Sequence, residues 1–371
     1  MKIAVVGAGI FGLTIARELA AAGLEVDVLE ASDRPMRYAS RVNQARLHTG
    51  MHYPRDFKTA REAFSDFSEF QRFYPLVFSD IEQYYALAPD SKTNWFEFLE
   101  HARDLGLPFE EVEPELFLKT GRAQGMIKVP EATIDFPAFT KTLLGNVRAM
   151  SNVRLRLNCE VEELRDFGHV ETVIGGIPES FDCVVITSYA MSQKFKSLIG
   201  DSVPSIRSQV TEVLLGRFHG LENTGITIMD GPYWSTMPYG FSGLHSLTSV
   251  IFTPLIETVG EKLGCQSKHG TCGKNALADC NSCQFRPMSQ ASRTMHQASE
   301  DILDKYYFEY SESMFTVKSL LSSEESNISA ARPSSVWSSS SGAVHLVHSG
   351  KIGSALSLAR SLALKISAAR S

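Results

Sequence analysis

The chain has no uncharged apolar run of about 18 residues, the length a helix needs to cross a bilayer, so no membrane-spanning helix is expected. It has no excess of positive charge either. Its 36 lysines and arginines stand against 42 acidic residues, giving a net charge of −6 and a pI near 6.0. That balance argues against a nucleic acid or an anionic membrane as partner. A clean secretory leader is also missing. Met1–Gly23 offers Lys2 and an apolar stretch, but glycines and Arg17-Glu18 interrupt it, and no A-x-A cleavage site follows. A cytoplasmic protein is expected. There are no internal repeats, and the serine-rich stretch Ser334–Ser341 is too short to act as a linker. The composition, 43% hydrophobic and 21% charged, is that of a globular protein. At 371 residues, two or three domains are expected.

Six cysteines are present. Cys159 and Cys183 lie in apolar strand-like runs, where cysteine behaves as a small buried hydrophobe. Cys265, Cys272, Cys280 and Cys283 crowd together around His269. Cys280 and Cys283 have the CxxC spacing of a zinc knuckle, but six residues separate Cys265 from Cys272, against the usual two to four. A loop of reduced thiols without metal is expected there.

The informative presence is at the other end. Ile3–Val6 is a short β-rich strand, and Gly7-Ala8-Gly9-Ile10-Phe11-Gly12 follows it directly. Leu13–Ala22 then carries a helical pattern, and Val26–Leu29 forms a second strand ending at Glu30 and Ala31. Glu30 lies 18 residues past Gly12, close to the usual spacing of about 20 for a carboxylate that bonds ribose hydroxyls. Each glycine has a task. Gly7 permits the tight turn, Gly9 lets the backbone approach a pyrophosphate, and Gly12 allows close helix–strand packing. The helix N-terminus offers N–H groups and a positive dipole end to the phosphates. A carboxylate at position 30 favours an unphosphorylated ribose, and so FAD or NAD over NADP.

Further along, Ala31–Phe57 is too polar and arginine-rich for a routine connection. Helical patterns cover Thr59–Tyr74 and Lys92–Leu105, the second with Asn94 as a possible cap. Residues 110–130 read as a mixed, proline-containing excursion. Asp135 caps a helix that runs to about Met150. Strand-like runs follow at Val153–Leu157, Cys159–Leu164, Val170–Ile174 and Cys183–Thr187. From Ser205 the pattern changes. Gln209–Phe218, Ile226–Met229 and Leu247–Phe252 are separated by turns and read as an antiparallel sheet. A loop-like stretch over residues 255–285, a helix over Ser289–Tyr307, a strand Val344–Val347 and a terminal helix Ser354–Ala369 complete the chain. The expected fold is α/β: a Rossmann-like nucleotide domain (1–85, 132–204 and 325–371) with an inserted antiparallel-sheet domain (86–131 and 205–324).

That layout, together with Asn43-Gln-Ala-Arg-Leu-His48-Thr-Gly50-Met-His52-Tyr-Pro-Arg55, resembles the D-amino-acid oxidase and glycine oxidase superfamily of FAD-dependent oxidoreductases. The chain looks most like a subgroup carrying NQARxHxGxHYPR. Gly231–Gly240, Leu244–Leu247, Val317-Lys-Ser, Arg332-Pro333 and His348–Gly353 extend the resemblance over most of the chain. It implies a glutathione-reductase-like two-domain flavoprotein with FAD as cofactor. Ser40 and Arg41 would lie near the pyrophosphate. Asn43, Gln44, Arg46, Leu47 and His48 would run past the flavin ring. Val161 would meet the adenine end, Thr187 would make the second nucleotide contact, and Ser349, Gly350, Lys351 and Ile352 would reach the pyrimidine edge of the flavin.

Relatives commonly place an arginine near position 351 to hold a substrate carboxylate, and this chain has lysine, a point donor without a fork. An ammonium there would stabilise negative charge at the flavin N1 and C2 carbonyl; the alternative is a solvated lysine starting a surface helix. His48 would lie by the flavin, as a covalent attachment point or a proton shuttle, or else would only position its loop. Tyr53, Tyr239 and His245 are further candidates, the last two as caps over the substrate. The implied function is removal of a hydride from the C–N bond of a small amine, with oxygen or another acceptor taking the electrons, in a monomer or homodimer. Oxidation of a hydroxy substrate, a redox-neutral sugar mutase and a non-enzymatic FAD-bound assembly are the alternatives.

Overall fold

The structure, a computed structural model, describes residues 1–259, 288–322 and 334–369. The expected thiol loop Cys265–Cys283 and the Arg332-Pro333 motif lie outside the described residues.

The N-terminal unit forms as its pattern dictates: strand β1 (Lys2–Val6), helix α1 (Ile10–Ala21) and strand β2 (Glu25–Leu29). β1 is central because its residues are apolar on both faces, and Ile3, Ala4 and Val5 are fully buried. It pairs in parallel with β2 and with Cys183–Ile186, inside a six-stranded sheet. Val344–His348 joins the same sheet in parallel from the far end of the chain. The terminal helix Ser354–Ala368 packs on α1, and one apolar cluster runs from β1 through α1 to this helix. Beginning and end of the chain therefore build one layer, as expected.

Three short antiparallel strands, Val161–Asp166, Val170–Ile174 and Ile177–Phe181, form a separate small sheet at its side.

A ten-stranded sheet makes the second half of the molecule. Its spine is Ser205–His219, paired along its whole length with Tyr307–Ser322 on one side and with Pro254–Val259 and His245–Ser249 on the other. Here the structure departs from expectation. Phe78–Leu87 and Gly125–Ile134 are full strands of this sheet, paired residue for residue, so the expected domain edges at residues 85 and 131 cut through continuous ladders. Tyr307 opens a strand, and the helix before it is shorter, Ala291–Asp301. Pro254–Val259 is a strand rather than loop.

Arg46–Leu47 adds to the edge of this sheet beside Ala132–Thr133. That short ladder carries the polar segment after Glu30 from the nucleotide layer onto the large sheet, and the candidate site lies along it.

Candidate active site

The cradle for a nucleotide is built at the end of β1. Gly7 takes φ +103°, a left-handed conformation open to glycine. A Cβ on Gly12 would fall 1.8 Å from the Gly7 carbonyl oxygen, so α1 can press against the turn only without one. Thr187, arriving from the neighbouring strand, donates its hydroxyl to Val6 O (2.9 Å) or Gly7 O (3.1 Å) and clamps the turn from behind. Gly9 is the N-cap of α1 and supplies no side-chain cap. The Ile10 N–H instead donates to Ser40 Oγ at 3.0 Å.

Glu30 is only 8% exposed. It accepts the Ala8 N–H (2.7 Å), the Ser32 N–H (2.9 Å) and the Ser32 hydroxyl (2.7 Å). An ionised carboxylate has about four acceptor positions, so capacity remains for a ribose hydroxyl. Ala8 and Ile10 are buried beneath the turn, Phe11 packs on the core beside them, and Ala31 continues from Glu30 into the Ser32 turn. The Val161 carbonyl accepts from Lys194 Nζ at 2.8 Å. Open helix amides, a glycine at the approach and a buried carboxylate at the second strand fit an adenosine diphosphate moiety.

From Ser40 the chain runs to Arg55 along the large sheet, pinned at each step. Asn43 turns the backbone, donating to Ala39 O and accepting the Ala45 N–H (2.7 Å), where Ala45 has φ +59°. Gln44 Nε2 donates to Ser235 Oγ (2.8 Å), and Arg46 Nη2 donates to Thr227 Oγ1 (2.6 Å). Arg46 is buried with its Nε 3.7 Å from the fully buried Glu131. Glu131 accepts from the Thr49 amide and hydroxyl and from the Tyr85 hydroxyl. Burial raises the Glu131 pKa while Arg46 opposes it. Leu47 points into the core.

This pinning holds His48, His52 and Tyr53 in one aromatic group. The His48 ring centroid is 4.7 Å from His52 and 5.8 Å from Tyr53. Burial, followed by the charges of His52, Arg46, Lys351 and Lys318, pushes the His48 pKa well below its usual value, so it is neutral at pH 7. Its Nδ1 is buried with no hydrogen-bond partner among the described residues.

Lys351 meets His48 from the other side. Lys351 is 4% exposed, so it is not the solvated lysine of a surface helix, and the helix starts three residues later at Ser354. The Ser349 hydroxyl accepts the Lys351 N–H (3.2 Å), and the Lys351 carbonyl accepts the Ser354 hydroxyl (2.8 Å). Its Nζ lies 3.1 Å from Glu62 on α2 (Phe57–Phe73) and 5.9 Å from the Tyr53 ring centre. Arg46, His48, Asp66, Lys351 and Ile352 enclose a void of about 10 Å³. Gly350 stays exposed beside it.

Two expected site residues are elsewhere. The Tyr239 hydroxyl donates to the Arg41 carbonyl (2.7 Å), and burial lifts its pKa to about 12. It staples the exposed Arg41 turn to a hairpin and lines neither the void beside Lys351 nor the cavity beside Tyr53. His245 is 1% exposed, with Nε2 on the Leu221 carbonyl (2.9 Å) and Phe218 against its ring. It belongs to the core of the large sheet, because its strand turns that face inward.

A cavity of about 390 Å³ lies between the His52–Arg55 turn and the sheet. Thr227 and Ser235, the residues that hold Arg46 and Gln44, line its inner end. Tyr53, Met229 and Trp234 form the walls, and Arg55, Lys92 and Asp230 the rim. Asp230 takes φ +61° and organises that rim. It pairs with Arg55 Nε at 2.9 Å and accepts from Ser91, Lys92 and Thr93. Sequence reasoning missed Asp230, Glu131 and Glu62. Glu131 alone left a signal there, as an isolated carboxylate in the apolar run Val129–Ile134.

A family model described as FAD dependent oxidoreductase (DAO) matches residues 2–240. A curated relative, the FAD-dependent monooxygenase FPY4 of Fusarium mangiferae, is 28% identical over 261 residues, covering 68% of this chain and 65% of its own length. Glycine oxidase from Geobacillus kaustophilus superposes with a TM-score of 0.71 at 16% identity, over 98% of this chain and 92% of that one. L-proline dehydrogenase from P. horikoshii gives 0.68 at 13% identity, over 99% and 92%. At these identities the two structures establish a shared two-domain fold.

Proposed function

The chain belongs to the DAO family of FAD-dependent oxidoreductases, and from that premise we propose that it oxidises the C–N bond of an amine or amino-acid-like substrate held in the 390 Å³ cavity. The observation that carries this reading is the shared wall. Thr227 and Ser235 line the inner end of the cavity and also bind Arg46 and Gln44, in the segment expected to run past the flavin.

Bound FAD supplies a two-electron acceptor for a hydride from the substrate carbon. The chain's own residues do the rest. Gly7 to Gly12 and Glu30 would hold the adenosine diphosphate end. Tyr53 and the His52 ring fix the substrate's position, which is the larger part of what a reaction without a strong base requires. An amine substrate reacts as the neutral base, its lone pair assisting the departing hydride, so an ammonium form must give its proton to solvent on binding. His48, kept neutral by burial and by surrounding cations, adds no positive charge to the cluster it forms with Arg46 and Lys351. Lys351 would present its buried ammonium to the flavin's pyrimidine edge, where reduction would place negative charge. Glu62 holds that ammonium in place. Oxygen or another acceptor then takes the electrons.

The direct test is anaerobic mixing of the yellow holoenzyme with a panel of amines and hydroxy acids. Bleaching by amines alone supports the reading; bleaching by hydroxy acids alone replaces it with C–O oxidation. The relative named a monooxygenase favours a second reading, oxygen insertion. In that case no substrate bleaches the flavin unaided, an external reductant is required, and labelled oxygen appears in the product.

A further inference from the structure

The cavity's size and rim carry more than the reaction class. We infer that its substrate is a bulky, ring-bearing acid, not a molecule of glycine size; this rests on the reading of the cavity as the substrate site. The volume of about 390 Å³ falls among pockets that enclose whole drug-sized ligands, of roughly 300–1,000 Å³. A two-carbon acid would leave most of it to water. Tyr53, Met229 and Trp234 give the walls the flat and apolar surface that a ring covers. At the mouth Val250 is 65% exposed, and the neighbouring Ile251 is 51% exposed. A ring reaching the rim would cover Val250 there.

The charge of the lining sets the sign of the ligand. Asp230 pairs with Arg55, while the Lys92 ammonium makes no ion pair among the described residues. The rim thus favours an acid over a second amine. This anion-binding end stands apart from Lys351, whose ammonium is committed to Glu62 behind the His48 ring.

The test titrates the FAD-loaded protein with three unreactive probes, acetate, indole-3-acetate and tryptamine, and reads binding from the perturbed flavin spectrum. Indole-3-acetate is expected to bind at least about tenfold more tightly than acetate, the least that burying a ring contributes, and more tightly than tryptamine. Thr248→Phe, which fills the cavity from the sheet, is expected to abolish that preference. If this variant does not load FAD, Val250→Asp is expected to weaken indole-3-acetate by placing a carboxylate near Lys92. Acetate binding as tightly as indole-3-acetate overturns the inference, as does a loaded variant of unchanged affinity. The two readings fail separately. Amines that bleach the flavin with no size preference sink this inference alone. Tight indole-3-acetate binding with no bleaching by any amine sinks the proposed reaction and leaves the cavity's selectivity standing.

Discussion

A methyl group on Gly12 would meet the Gly7 carbonyl oxygen at 1.8 Å and the Thr187 hydroxyl at 2.7 Å. Both are fixed by the turn, so Gly12→Ala is expected to destabilise the protein by about 3 kcal/mol or more. Gly9 differs, since its Cβ would meet only Ser40 Oγ, at 2.8 Å, and that hydroxyl can rotate away. Gly9→Val is therefore expected to fold and fail to load FAD. Thermal melts, with identification of the nucleotide released on denaturation, separate the two; a Gly9→Val protein with a full complement of FAD contradicts the cradle described above. Lys351→Met removes a buried ammonium and keeps most of its apolar stem. Glu62, with a side chain 40% exposed, can turn to water. Flavin reduction is expected to slow by roughly 100- to 1,000-fold, the usual loss of one such electrostatic donor, and the sulfite affinity of the flavin to fall with it. Unchanged values of both would place the ammonium away from the flavin. The glycine roles were legible because they depend on local spacing. The burial of Lys351 was not, because it depends on α2, nearly 300 residues earlier in the chain.

At the level of elements, legibility followed how local the pattern was. The Asn94 cap of the helix Trp95–Leu105, which Glu97 completes into a capping box, and the Asp135 cap were both visible as short-range signals. The strands Phe78–Leu87 and Gly125–Ile134 were not. Residues Tyr84–Leu87 are buried on both faces, so no polar alternation marks them. Pro130 argues against a strand interior. The structure tolerates it because the outer neighbour is interrupted there: Glu110–Val112 pairs only as far as Lys128, and Arg46–Leu47 begins at Ala132. Glu131, next to that proline, joins the strand to the site segment through Arg46, Thr49 and Tyr85. Glu131→Leu strands the buried Arg46 charge and is expected to cost about 3–5 kcal/mol. Urea unfolding measures it, and a loss under 1 kcal/mol would mean that Arg46 finds water once Glu131 is gone.

Across the whole molecule, buried histidines set the acid limit of stability. His48 and His245 are pushed down, and His345 and His348 each fall to about 4, all chiefly by burial. Their unfolded value is 6.5, so between pH 6.5 and 4 the unfolded chain binds more protons and unfolding gains as pH falls. His345 and His348 each account for on the order of 3 kcal/mol across that window. Asp66, Glu131 and Asp301, raised by burial, act in the opposite sense but are fewer. The melting temperature is expected to drop steadily below pH 6.5; a flat or rising profile down to pH 4.5 would refute this. The two-layer plan was readable from the sequence, since both chain ends carry the parallel-sheet pattern. The cavity was not, because it arises where a turn and a sheet separated by about 170 residues face each other.

The most direct measurement of the central claim is anaerobic flavin reduction by an amine carrying hydrogen or deuterium on the carbon attached to nitrogen. Oxidation of that C–H bond in the cavity predicts bleaching in both cases and a clearly slower rate with deuterium. Equal rates would mean that the bond is not broken in the observed step, and an amine panel that leaves the flavin yellow would contradict the account.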